Sequence, residues 1–115
     1  METSVEQRGH VSTVHIAGRV DGHTADTLQQ VLSDEVEAGR HHLVADFREV
    51  DYTSSAGLRV LLGTVKDTRS RGGDLRLAGV QPEVLNVLEL SGFTGILQVF
   101  ETVEDAVASF GSTST

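Results

Sequence analysis

The sequence has no cysteine and no tryptophan, a single tyrosine, a single proline, and one lysine, Lys66, among its nine cations. Each shortage closes off chemistry. Without cysteine there is no disulfide, no thiolate nucleophile and no cysteine-bound metal, and the composition fits a reducing compartment. Acids outnumber bases by 17 to 9, giving a formal charge of −8. A polyanion therefore meets net repulsion, and no Lys/Arg stripe with interleaved aromatics exists to overcome it. Nucleic acid is not an expected partner, and neither is an anionic membrane surface. The first residues, Met1-Glu2-Thr3-Ser4-Val5-Glu6-Gln7, lack both a basic region and an apolar core, and no apolar run approaches a membrane span. The reading is a soluble, cytoplasmic protein with no direct membrane insertion.

What is present is one domain's worth of alternating strand and helix signals. A weak strand at Thr3–Gln7 turns at Arg8-Gly9. Val11–Ile16 reads as a strand that Gly18 breaks. Asp21-Gly22 marks a turn, and Thr24 is placed to cap a helix whose stripe is Leu28, Val31, Leu32 and Val36, interrupted by Glu35, with Gly39 as its stop. His42–Phe47 is a short apolar run read as a central strand, closed by Asp46. A helix follows Ser55, with Leu58, Leu61, Leu62 and Val65 on one face and Arg59, Lys66, Asp67 and Ser70 on the other, stopped at Gly72-Gly73. Arg69 and Arg71 complement its dipole. Leu75–Ala78 is a strand. Pro82 opens a helix with Val84, Leu85, Val87 and Leu88 on its buried side, and Ile96–Phe100 is a last strand. Thr102 starts a final helix packed by Val103, Ala106, Val107 and Phe110. The order β(β)αβαβαβα predicts an α/β domain over residues 1–110, with a single mixed sheet of four to five strands, about four helices and a flexible tail at 111–115.

Two loops stand out because both follow a strand and precede a helix: Asp21-Gly22-His23-Thr24 and Tyr52-Thr53-Ser54-Ser55. They are expected at the same edge of the sheet, with Asp21 near Ser55. Hydroxyls at Ser54-Ser55 suit a helix N-cap, and the same orphan N–H groups and dipole suit an attached anion, so a plain cap and a modified serine share one geometry. A catalytic serine is the weaker reading. Thr53-Ser54-Ser55-Ala56-Gly57 lacks the first glycine of a nucleophile elbow, and all five histidines, His10, His15, His23, His41 and His42, precede the serine. His41-His42 lacks the spacing and companions of a metal site.

In combination and order, these residues resemble the STAS domain of small bacterial anti-sigma factor antagonists. The likeness lies in Gly18-Arg19-Val20-Asp21-Gly22-His23-Thr24-Ala25, in Ser55-Ala56-Gly57-Leu58, in Gly72-Gly73-Asp74-Leu75-Arg76-Leu77 and in Val87-Leu88-Glu89-Leu90-Ser91-Gly92-Phe93. It implies a STAS fold and a regulator that is not an enzyme and needs no cofactor. In such families the unmodified antagonist binds a GHKL-type anti-sigma serine kinase and frees a sigma factor for transcription. The kinase phosphorylates the antagonist and lets go, and a PP2C-type phosphatase resets it. The target serine carries over to Ser55. Ser54 replaces the family's common Asp, and Ala56 its second Ser or Thr. The implied partner surface comprises Asp21, Gly22, His23, Thr24, Ser54, Ser55, Gly57 and Arg59. Two other outputs fit a STAS domain: a constitutive subunit of a membrane lipid-transport ATPase, or a partner switch acting outside transcription. A nucleotidase is disfavoured by the absence of a G-x-x-x-x-G-K-[ST] loop.

Overall fold

A computed structural model describes residues 1–111 of the chain. The expected tail at 111–115 lies outside the described residues, apart from Gly111. The elements run β1 (Glu2–Arg8), β2 (Val11–Val20), α1 (Ala25–Glu37), β3 (His42–Thr53), α2 (Ser55–Ser70), β4 (Asp74–Ala78), α3 (Pro82–Leu90), a 3-10 turn (Phe93–Gly95), β5 (Val99–Phe100) and α4 (Val103–Ala108). The strands form one mixed sheet in the order β1-β2-β3-β4-β5. β1 is antiparallel to β2, and β2 to β5 are parallel.

The three crossover helices pack on one face. Leu28, Leu32 and Val36 of α1, Leu58, Leu61 and Val65 of α2, and Val84 and Leu88 of α3 share one buried cluster with Val14, Ile16, Phe47, Leu75 and Leu77 of the sheet. α4 lies in a smaller cluster, where Val103 and Ala106 meet Val11, Val44 and Ala78. Glu35, the polar interruption of the α1 stripe, is buried and receives a two-pronged bond from Arg40, Nε to Oε1 at 2.8 Å and Nη2 to Oε2 at 3.0 Å. That pairing is what lets a charged group occupy the position.

Several boundaries differ from the expected ones, for identifiable reasons. Gly18 does not end β2: it adopts φ +106° within a strand that continues to Val20. Asp46 does not close β3, which runs on to Thr53. Beyond Asp46 the β2–β3 register shifts twice, leaving extra residues on β3, so burial recurs at Phe47, Val50 and Thr53 rather than at alternate positions. Asp46 sits mid-strand instead, its buried carboxylate bonded by Arg48 Nε and Nη2 and by His15 Nδ1 at 2.5 Å. β5 is shortened to Val99–Phe100 because the Phe93–Gly95 turn leaves Ile96 exposed, where its carbonyl accepts from Arg69. Arg69 does more than complement a dipole: it also donates to the buried Asp74 at 2.8 Å, tying the end of α2 to the start of β4. Val87 is exposed rather than buried, since α3 presents only Val84 and Leu88, with Leu85 at their margin, to the sheet.

Candidate functional site

β2 and β3 are parallel neighbours, so the loops that leave them emerge at one edge of the sheet, and a backbone bond joins them there. Val20 lies opposite Thr53, and the Ser54 N–H donates to the Val20 carbonyl at 2.8 Å. The Asp21 loop is thereby fixed beside the start of α2.

Within that loop Asp21 folds back on its own backbone. Its Oδ1 accepts from the His23 N–H at 2.9 Å and from the Thr24 N–H at 3.1 Å. These bonds, that from His23 foremost, hold the carboxyl below the usual carboxylate range, so it is ionised at neutral pH. Thr24 precedes α1 but does not cap it with its side chain. Its hydroxyl accepts from the Asp21 N–H and donates to the Arg19 carbonyl, both at 2.8 Å, so it closes the loop instead. Gly22 and His23 are exposed at the loop's tip.

The two serines, read together from the sequence as one capping pair, have separate positions. Ser54 is the cap: its backbone is extended, and its Oγ accepts from the Gly57 N–H at 3.3 Å. Ser55 is the first helical residue and is exposed, and among the described residues its hydroxyl has no hydrogen-bond partner. Gly57 explains how the helix sits so low. A Cβ there would stand 2.5 Å from Thr53 Oγ1 and 2.7 Å from Val20 Cγ1, closer than atoms can approach. Only glycine lets the first turn of α2 rest directly on the ends of β2 and β3. Arg59 is exposed one turn beyond Ser55 and makes no ion pair among the described residues.

Sequence reasoning missed a pair at the same edge. Arg19 and Tyr52 are cross-strand partners, and the guanidinium carbon lies 4.2 Å from the centre of the tyrosine ring, with Arg19 Nε 3.9 Å from the Asp21 carboxylate. Tyr52, the chain's one tyrosine, is 41% exposed. An exposed aromatic directly before the Ser54-Ser55 turn was the available signal; its partner follows only from the shifted register.

Chemically, the edge offers an exposed, free hydroxyl at the positive end of a sixteen-residue helix, and an ionised carboxylate in the loop bonded to that helix start. Among the described residues, His23 bonds to Asp21 through its backbone N–H. Among the described residues no cluster of three His, Cys, Asp or Glu side chains could hold a metal. His42 instead packs edge-on between His10 at 4.9 Å and Phe110 at 5.2 Å. A cleft of about 680 Å³ lies elsewhere, between Gly79–Pro82 and Val99–Glu101. Among the described residues no helix is long and apolar enough to cross a membrane.

A family model described as the STAS domain matches residues 2–106. BtrV of Bordetella bronchiseptica, provisionally named an anti-sigma factor antagonist, is 39% identical over 95 residues, 83% of this chain and 82% of that protein. The anti-sigma F factor antagonist of Paenibacillus polymyxa is 26% identical over 110 residues, 93% of this chain and 94% of that protein. A solved structure from Thermotoga maritima, also provisionally named an anti-sigma factor antagonist, matches with a TM-score of 0.88 at 19% identity, over 93% of this chain and 92% of that one. At that identity the likeness is one of fold.

Proposed function

The chain belongs to the STAS domain family, and we propose that it is an anti-sigma factor antagonist whose hold on its partner is switched by phosphorylation of Ser55. Unphosphorylated, it binds a GHKL-type anti-sigma serine kinase through the Asp21–Thr24 loop and the first turn of α2, with Ser54, Gly57 and Arg59, and so frees a sigma factor. The kinase supplies ATP and Mg²⁺. The Ser55 Oγ attacks the γ-phosphorus, the bond to ADP breaks, and the hydroxyl proton passes to a base on the kinase. Ser55 is a substrate residue, and this chain needs no cofactor. A PP2C-type phosphatase restores the hydroxyl.

The observation that carries this reading is the division of labour between the two serines: Ser54 is held by the helix it caps, and Ser55 is exposed with its hydroxyl free. Phosphate adds roughly −1.5 to −2 charge at neutral pH. At the turn bonded to the loop of the ionised Asp21, on a chain already at −8, that charge has few cations beside Arg59 to absorb it and disrupts a contact fitted to the neutral hydroxyl. A loss of about 2.8 kcal/mol is enough to weaken binding a hundredfold.

Phosphate mapping tests the assignment. Incubated with ATP and extract of its host, the protein should acquire a single phosphate located by fragmentation at Ser55, absent from Ser55→Ala and retained in Ser54→Ala. Phosphate at Ser54 or Thr53 instead, or none, contradicts it.

A further inference from the structure

The sheet ends differently at its two sides. β5 offers an edge of two residues, whereas β1 offers seven, Glu2–Arg8, paired among the described residues with β2 on one side only. A long open edge is a row of free backbone donors and acceptors, which proteins usually blunt with proline, with charged side chains, above all lysine, or with a bulge. β1 has neither proline nor lysine, and its ladder with β2 runs without a register shift. Gly9 and His10 alone connect the strands, so Arg8 and Val11 form a hydrogen-bonded pair. Alternation then directs the backbone groups of Ser4, Glu6 and Arg8 toward β2 and those of Thr3, Val5 and Gln7 outward.

We propose that β1 pairs antiparallel with β1 of a second copy of this chain, about a two-fold axis at Val5, making one continuous sheet from two. Symmetry and charge select the register. A two-fold axis perpendicular to the sheet keeps the same face up in both copies, so it passes through a residue rather than between two. Centred on Val5, all seven residues pair. Glu2 then lies opposite Arg8 of the second copy, twice over, Thr3 opposite Gln7 and Ser4 opposite Glu6, while Val5, 42% exposed, meets itself. Centring on Ser4 sets Glu2 opposite Glu6, and centring on Glu6 sets that acid against itself, both disfavoured as like charges directly opposed. Arg8 is available for this: its contacts with Glu6 at 3.6 Å and Glu104 at 3.4 Å are surface ion pairs, which hold weakly. A strip of seven paired residues is a small interface, so the dimer is reversible and depends on concentration.

The absence of cysteine makes crosslinking decisive. A hydrogen-bonded cross-strand pair places its Cα atoms about 5.5 Å apart, within disulfide reach. Under mild oxidation Val5→Cys should form disulfide dimers readily. Thr3→Cys and Gln7→Cys should form few alone but a linked heterodimer when mixed. In sedimentation equilibrium, Glu2→Arg or Arg8→Glu alone should weaken association about tenfold, and the double reversal should restore it. Monomer throughout the concentration series, crosslinking without preference for position 5, or a dimer indifferent to the charge reversals would overturn the proposal. None of these results depends on whether Ser55 is phosphorylated.

Discussion

α1 and α2 start from the same edge of the sheet, each one residue beyond a hydroxyl, and they use that hydroxyl in opposite ways. Thr24 turns its side chain back into the loop, bridging Asp21 and Arg19, and leaves α1 without a side-chain cap. Ser54 points forward and caps α2. The next residue differs as well: Ala25 is buried and Ser55 is exposed. Two positions further on, α1 carries the exposed Thr27, while α2 carries the buried Gly57 wedged on Val20 and Thr53. The α1 entrance is a rigid loop that presents backbone and a carboxylate, and the α2 entrance is a helix lowered onto the sheet that presents one free hydroxyl. The Ser55 hydroxyl is left free because Ser54 has already met the polar needs of the helix start.

The largest difference between the two helix entrances lies at Gly57. Gly57→Val should destabilise the fold by about 1–3 kcal/mol or more through overpacking, seen as a lower urea midpoint, whereas Thr27→Val should stay within about 0.5 kcal/mol. Thr24→Val removes two hydrogen bonds and should cost about 1–3 kcal/mol, with faster amide exchange at His23 and Thr24. Ser54→Ala should cost about 1 kcal/mol, and Ser54→Gly only a few tenths. Ser55→Ala should leave stability within about 0.5 kcal/mol while abolishing phosphorylation. If Ser55→Ala destabilised as much as Ser54→Ala, the separation of the two serines would be wrong.

The smallest effects are in pH. The Asp21 carboxyl is depressed by the N–H bonds of its loop, so its contribution is present above the ordinary carboxylate range and is lost as pH falls through its folded-state value. Carboxyl NMR should show Asp21 titrating below the ordinary aspartate range, and Thr24→Val should bring it closer to that range. At the other end of the molecule, His42 is held low by burial first, then by His10, His41 and Arg76, its buried Nδ1 having no hydrogen-bond partner among the described residues. The unfolded chain takes that proton first, so stability should fall as pH drops below about 6.5, and His42→Phe should flatten the fall.

How much of this was legible depended on whether a signal lay within one segment. The α2 stripe was readable because Leu58, Leu61 and Val65 repeat at helical spacing and are buried as that spacing implies. The end of β3 was not, because its register shifts turn alternation into a three-residue recurrence that hydropathy takes for a loop. That the two site loops share an edge was legible because each follows a strand and precedes a helix; that their strands are direct neighbours came from the structure. Which serine caps and which stays free was not, since both are good caps by type and only the placement of Ser54 beside Val20 decides. Arg19–Tyr52 was invisible for the same reason as the β3 boundary: its pairing passes through a shifted register.

Affinity capture from the native host with wild-type, Ser55→Ala and Ser55→Asp baits, followed by titration of the captured protein against each purified bait, tests the Ser55 switch. Wild type and Ser55→Ala should bind a GHKL-type kinase with equal affinity, and Ser55→Asp should bind it about a hundredfold more weakly. Equal binding of one partner by all three baits, or no kinase on any of them, would contradict the switch and leave Ser55 as nothing more than the first residue of a helix.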